Sequence, residues 1–262
     1  MARLVRAKIL ELSYVNKTPH LGSSLSCVDI LVASYWKALK IDPQNPKAAN
    51  RDRFILSKGH AATAQYSALA YRGFFPLDLL ETYSKPGSLI PEHPSPNCLP
   101  GIEAASGSLG HGLPLGVGLA LGAKIKGMDY RVYVVMSDGE CNEGSVWEAA
   151  LFAPGQKLDN LVAIVDYNKW QATGPSNEVM SLGPLRNKWE SFGWNAYELD
   201  GHDLGELCRV LSNVPDGSHK PIAVIANTIK GKGVSFMEND NNWHYKIPNE
   251  TEYSNALKEL GV

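Results

Sequence analysis

Three strand-length runs, Arg131 to Met136, Leu161 to Val165 and Ile222 to Ala226, are apolar on both faces. No other feature restricts the fold as much. A strand with no polar face must be covered on both sides, which predicts parallel neighbours in one sheet under helices on each face. The segment from about Ser145 to Phe152 reads as a helix between the first two runs, and so predicts a right-handed crossover. Phe54-Ile55-Leu56 is a shorter strand-like run. With 262 residues, 44% hydrophobic and 20% charged, the chain has the material to bury such a core. It shows no repeat, low-complexity linker or internal boundary. The expectation is one α/β domain over residues 1–262, doubly wound, with a mostly parallel sheet and helices on both faces.

The first half reads as helices and loops. Val5, Ile9 and Leu12 share a face of a first helix that gives way at Lys17-Thr18-Pro19. Leu31, Tyr35 and Leu39 stack on a second, from about Ser26 to Lys40, which stops at Asp42-Pro43. An alanine-rich helix runs from Ala61 to Tyr71. Residues 84–101 carry Pro86, Pro91, Pro94, Pro96 and Pro100, too many for a regular element, and a loop of that length usually covers a site. Gly107 to Gly112 is glycine-rich and opens an apolar helix from about Leu113 to Lys126.

Charge and cysteine usage exclude several functions. A formal net charge of −2 gives no pull toward nucleic acid or an anionic membrane, so any phosphate must be held locally. Cys27, Cys98, Cys141 and Cys208 form no CxxC pair, which argues against zinc or a disulfide framework and fits a reducing cytoplasm. The N-terminal residues pattern as an amphipathic helix, not a signal peptide, and no stretch is long enough to span a bilayer.

The chemistry concentrates after the strands. Ser137-Asp138-Gly139-Glu140 follows the Arg131–Met136 run, and Asp166-Tyr167-Asn168-Lys169 follows the next. Ligands of doubly wound sheets gather at the carboxyl ends of strands. Asp138 and Asn168, thirty residues apart, therefore sit close enough to share one ion. A carboxylate and an amide carbonyl suit magnesium or calcium, with diphosphate oxygens and water completing the shell. Gly139 lets backbone approach a phosphate closely. DG and YN are also ordinary turn signals; the spacing and the preceding strands are what set this pair apart.

Together these turns resemble the two ends of the thiamine-diphosphate motif, usually GDG to N, with Ser137 in place of the first glycine. From about residue 13 to 246 the chain resembles the N-terminal half of transketolases. Pro19-His20-Leu21-Gly22 resembles the family's GHPG, with the proline moved ahead of the histidine. Phe54 to His60 resembles RFxLSxGH. Glu92-His93-Pro94 and Leu99 to Glu103 resemble HPE…LPGVE with one extra residue between. Lys230 to Glu238, followed by Trp243-His244, is similar to the end of the N-terminal chains of split transketolases.

The resemblance implies metal ligands at Asp138, Asn168 and the Trp170 carbonyl, with Gly139 and Glu140 against the diphosphate of thiamine diphosphate. It implies that His60 and His244 contact cofactor and donor substrate, that His20 and His93 contact substrate hydroxyls, and that Gly107 and Leu109 offer backbone groups to the aminopyrimidine. Glu143 would join a carboxylate network linking two active sites; its other reading is a negative charge at a helix N-terminus. His111 is a weaker cofactor candidate, and His202 and His219 are structural or surface residues. Imidazoles suit ketol transfer because they donate to a carbonyl and accept a hydroxyl proton.

Val262 lies eighteen residues after His244. The expectation is that the pyrimidine-binding and C-terminal domains, with the activating glutamate, sit on a separate chain in an α2β2 heterotetramer acting on sugars or sugar phosphates. Competing readings are a deoxyxylulose-phosphate-synthase-like or dehydrogenase-like α chain, and a non-catalytic module that binds the cofactor or a partner. The four histidines and the Lys230–Glu238 segment favour transketolase over the former, and intact Asp138 and Asn168 disfavour the latter.

Overall fold

A computed structural model describes all 262 residues. Its strands are β1 (Arg53–Leu56), β2 (Val132–Ser137), β3 (Leu161–Tyr167), β4 (Trp170–Gln171), β5 (Gly174–Pro175), β6 (Asn195–Asp200) and β7 (Ile222–Asn227). Five form one sheet in the order β1-β2-β3-β7-β6, each neighbouring pair parallel. The other two make a short antiparallel hairpin.

The apolar runs account for this sheet. Every residue of β2 is buried, as are all but the last of β3 and β7. Alternation along these strands divides the interior into two cores. Tyr133, Val135, Val162, Ile164 and Val224 face one core with residues of the helices Ala2–Asn16, Val28–Ala33, Ala62–Arg72, Leu204–Ser212 and Glu250–Leu260. Val134, Met136, Ala163, Val165 and Ile225 face the other with the helices Gly112–Ile125, Gly144–Gly155 and Leu185–Ser191. Each fully buried valine or isoleucine contributes about 1.5–3 kcal/mol, so the centre of the sheet is the best anchored part of the molecule. No helix is long and apolar enough to cross a membrane.

The structure departs from the sequence reading in several elements, the helices Leu185–Ser191 and Glu250–Leu260 among them. In place of one helix from Ser26 to Lys40 there are two, Leu21–Ser26 and Val28–Ala33, followed by a π-helical turn over Ser34–Ala38. The start moves forward because the His20 amide bonds the His244 carbonyl at 2.8 Å, which pins the chain before Leu21. The edge strand β6 has no counterpart in the sequence reading: only Ala196 and Leu199 of its six residues are buried. The helix Leu204–Ser212 has none either, although the Asp203 carboxylate caps it by accepting from the Gly205 and Glu206 amides at 2.8 and 3.1 Å. The proline-rich 84–101 segment contains no helix or strand, as expected.

What positions a site is the register. Leu56 pairs with Val135, Ser137 with Asp166, and Asp166 with Ala226. The segments that begin at Ser57, Asp138, Asn168 and Thr228 therefore leave the sheet at one edge.

Candidate active site

Above that edge lies a cavity of about 430 Å³ lined by His20, His60, His93 and His244, by Gly107 and Leu109, and by Gly139, Asn168 and Trp170. Residues scattered from position 20 to position 244 thus reach one space. His20 is the hub. Its ring centroid lies 5.4 Å from that of His60, 6.0 Å from His93 and 5.1 Å from His244. It is held there in the left-handed region, φ 70°. His60 is the middle residue of the turn Gly59–Ala61, and a side chain on Gly59 would meet the Gly107 amide nitrogen at 2.5 Å, so glycine lets the two loops touch.

Burial keeps the imidazoles neutral. Desolvation, reinforced by neighbouring His93, lowers His20 to about 4. Desolvation and then the Lys230 charge lower His244 to about 3. His60 is pushed well below the ordinary histidine range by burial and by Lys58. At neutral pH these three rings are uncharged, each with one protonated and one bare nitrogen.

Two aspartates stand at the ends of neighbouring strands, Asp138 just after β2 and Asp166 as the penultimate residue of β3. Asp166 is fully buried and ion-paired to Lys58 at 2.5 Å, and it also accepts from Ser26 Oγ at 2.6 Å and from Thr228 Oγ1. Asp138 is equally buried but accepts only from Ser176 Oγ at 2.8 Å and its neighbouring Gly139 amide at 2.9 Å. Burial pushes it up to about 6, and the Asp166 charge adds to this. No group of three or more His, Cys, Asp or Glu side chains forms a metal site. A cation here would need the Asp138 carboxylate, the Asn168 amide oxygen, the Trp170 carbonyl and oxygens of a ligand. The Asn168 side-chain oxygen already accepts the Trp170 amide at 3.0 Å, which fixes the turn.

Glu140, like Asp138, is fully buried and lies beneath the cavity lining, with Gly139 between them facing the cavity. The Glu140 carboxylate accepts from Ser57 Oγ, from the Gly110 amide at 2.8 Å and from the Ser137 amide at 3.4 Å. Its three donors come from the turn after β1, from the glycine-rich loop and from the end of β2 itself. Glu140 ties the walls together, and Gly139 is the residue of that turn facing the cavity.

Glu143 lines the cavity at the N-cap of the helix Gly144–Gly155, so both of its readings survive. His111 is exposed and not among the lining residues. His202 is structural: it bonds Asp29 at 2.8 Å and accepts the Ile229 amide at 2.9 Å. The His219 side chain is 83% exposed.

Sequence reasoning missed Ser23, Asn142, Gln171, Ala172 and Thr173 in the lining. Gln171 Nε2 and Asn142 Oδ1 are buried with no partner in the chain. The short turn-like segment Gln171-Ala172-Thr173-Gly174 signals the last three of the missed residues, and nothing in the sequence signals Ser23 or Asn142.

The family profile described as "Transketolase, thiamine diphosphate binding domain" matches residues 2–262. The chain is 42% identical over 255 residues to one of the named subunits of the apulose-4-phosphate transketolase of Phocaeicola vulgatus, covering 97% of this chain and 90% of that one. It is 40% identical over 259 residues to the 6-deoxy-6-sulfo-D-fructose transketolase subunit SqwG of a Clostridium species, covering 99% and 94%. Among solved structures, a transketolase from Pichia stipitis matches with a TM-score of 0.93 at 27% identity, over 99% of this chain and 40% of that chain. The Campylobacter jejuni transketolase matches with a TM-score of 0.89 at 30% identity, over 99% and 41%. The chain thus spans about two fifths of these solved transketolases.

Proposed function

The chain belongs to the transketolase family, and on that premise we propose that it is the diphosphate-binding subunit of a two-chain enzyme. The reaction is transfer of a two-carbon ketol unit from a ketose or ketose phosphate to an aldose. Four histidines converging on the cavity into which the ends of β2 and β3 open carry this reading. Residues 1–262 act as a single diphosphate-binding domain, and a partner resembling the C-terminal half of transketolases supplies the pyrimidine-binding side of the site. Two relatives, matched over 90% and 94% of their own lengths, bear names that make each one subunit of a transketolase, which supports such a partner in an α2β2 assembly. Four free cysteines and the absence of a helix able to cross a membrane are compatible with work in the cytoplasm.

The residues present fit thiamine diphosphate with Mg²⁺ or Ca²⁺. Asp138 has no cation of its own, and Gln171 Nε2 and Asn142 Oδ1 lack partners beside the cavity. A side chain on Gly139 would close to 3.2 Å from Gln171, filling room that an anionic group could use. Asp138, Asn168 and the Trp170 carbonyl would hold the cation, and Gly139 the diphosphate, with Gly107 and Leu109 facing the pyrimidine. When bound, the cofactor supplies the carbon that carries the two-carbon unit between substrates.

The remaining work falls to the chain's own groups. His60 and His244 donate to the oxygens of the ketose, where the N–H of a neutral imidazole stabilises developing negative charge. His20 and His93 bind hydroxyls and hold or return their protons. The proline-rich 84–101 loop carries His93 over the cavity.

The test is reconstitution. Mixed with a transketolase C-terminal-half chain, thiamine diphosphate and magnesium, the protein should catalyse ketol transfer that neither chain shows alone. Full activity from this chain by itself, in a preparation free of host transketolase, would overturn the two-chain reading.

A further inference from the structure

Lys230 is fully buried, yet its ammonium bonds only neutral groups: Asn241 Oδ1 at 2.6 Å and His244 Nδ1 at 3.1 Å. Its stem is held as firmly as its head. A side chain on Gly22 would meet Lys230 Cγ at 3.1 Å, the Gly231 amide bonds the Gly22 carbonyl at 3.0 Å, and the Asn239 amide bonds the Lys230 carbonyl at 2.9 Å. Asn241 in turn donates to the Ala172 carbonyl at 3.2 Å, in the loop of the β4–β5 hairpin that lines the cavity. The His244 carbonyl receives the His20 amide. One lysine therefore sits at a junction of the loops that carry His20 and His244.

An ammonium has three donors and no lone pair. For a protonated Lys230 to bond His244 Nδ1, that nitrogen must be the unprotonated one, and the single proton of the neutral ring must be on Nε2. We propose that Lys230 is a positioning residue that locks His244 in its Nε2–H tautomer, so that His244 meets the substrate as a hydrogen-bond donor and not as a base. Burial and the Lys58 charge lower Lys230 to about 8, which leaves it protonated at neutral pH. His244 then has no lone pair left to take a hydroxyl proton, and among the four histidines that task falls to the others.

The groups facing His244 are Lys230, His20, His60, Tyr245 and, further off, Lys58. Lys230 itself also feels Asp138, Asp166 and Asp240. The substrate role rests on the ketol-transfer reading, whereas the tautomer does not, so the two can fail separately.

The tautomer can be read directly from ¹⁵N shifts and long-range proton couplings in the histidine-labelled chain, with His244 assigned by its loss in His244→Gln. The expected result is a protonated Nε2 and a bare Nδ1 across neutral pH, with His244 refusing a second proton well below 6.5. In Lys230→Met the ring should titrate at higher pH as a mixture of tautomers, and Lys230→Arg should restore the single form. In the complex with the partner chain, Lys230→Met should lower kcat by roughly 10²-fold, the scale of a misplaced catalytic group. His244→Gln, which keeps an N–H donor but no base, should retain more kcat than His244→Ala. A wild-type His244 protonated on Nδ1 overturns the proposal whatever the variants do. Equal losses in His244→Gln and His244→Ala would overturn the donor role.

Discussion

The ends of β2 and β3 are neighbours in the sheet, and each places a fully buried aspartate at the same edge. Asp166 meets a lysine of its own chain and two hydroxyls, so its charge is neutralised from within. Asp138 meets one hydroxyl and one amide and no cation, and burial pushes it up to about 6. A buried charge without a partner is costly. The difference teaches how to tell scaffold from site in this molecule: the first aspartate holds the loops together, and the second waits for something the chain does not supply.

Breaking the closed end should have the largest effect. Removing one partner of a buried ion pair costs about 3–5 kcal/mol. Lys58→Met should therefore lower the urea midpoint strongly, and the Lys58→Met, Asp166→Asn double variant should recover part of the loss. A Lys58→Met protein as stable as wild type would remove the distinction between the two aspartates.

His60 and His244 sharpen the comparison from the site's side. Each projects into the cavity, so alanine at either should cut turnover with the partner by roughly 10²-fold or more while the melting temperature changes little. Near wild-type rates in both variants would dismiss the histidine assignment.

The smallest effect is a pH dependence. His20 is held at about 4 and His244 at about 3, against an ordinary 6.5 in the unfolded chain. Below pH 6.5 the unfolded chain binds protons that the folded chain refuses, so this contribution erodes stability as pH falls toward 4. Asp138 works in the opposite direction between about 6 and 3.8, where the folded chain holds the extra proton. Comparing wild type with His20→Asn cancels the Asp138 term, and asparagine tolerates the left-handed backbone at this position. The variant should lose less melting temperature between neutral and mildly acid pH. Identical slopes would mean His20 is not held neutral by the fold.

The same contrast governs what was legible in the sequence. The centre of the sheet was readable because β2, β3 and β7 are covered on both faces and therefore have uninterrupted apolar runs. β6 was not, since only Ala196 and Leu199 of the strand are buried. Asp138, Gly139, Asn168 and the four histidines stood out because each lies in a short local pattern. The groups that fix them did not, because their partners are remote. Lys58 is 108 residues from Asp166, and Ser57 is 83 from Glu140. Lys230 lies only 14 residues from His244, but nothing in that spacing reveals a fully buried ammonium bonded to an imidazole. Glu140 makes the same point: nothing in the turn Ser137–Glu140 foretells that its carboxylate accepts the Gly110 amide and Ser57 Oγ.

We propose that Asp138, buried without a cationic partner, is where a divalent cation joins the cofactor diphosphate to the protein. Calorimetric titration of thiamine diphosphate into wild type and Asp138→Ala, each with and without magnesium, tests it most directly. Wild type should show magnesium-dependent binding and Asp138→Ala none, with circular dichroism showing both folded. Unchanged affinity in Asp138→Ala would contradict it.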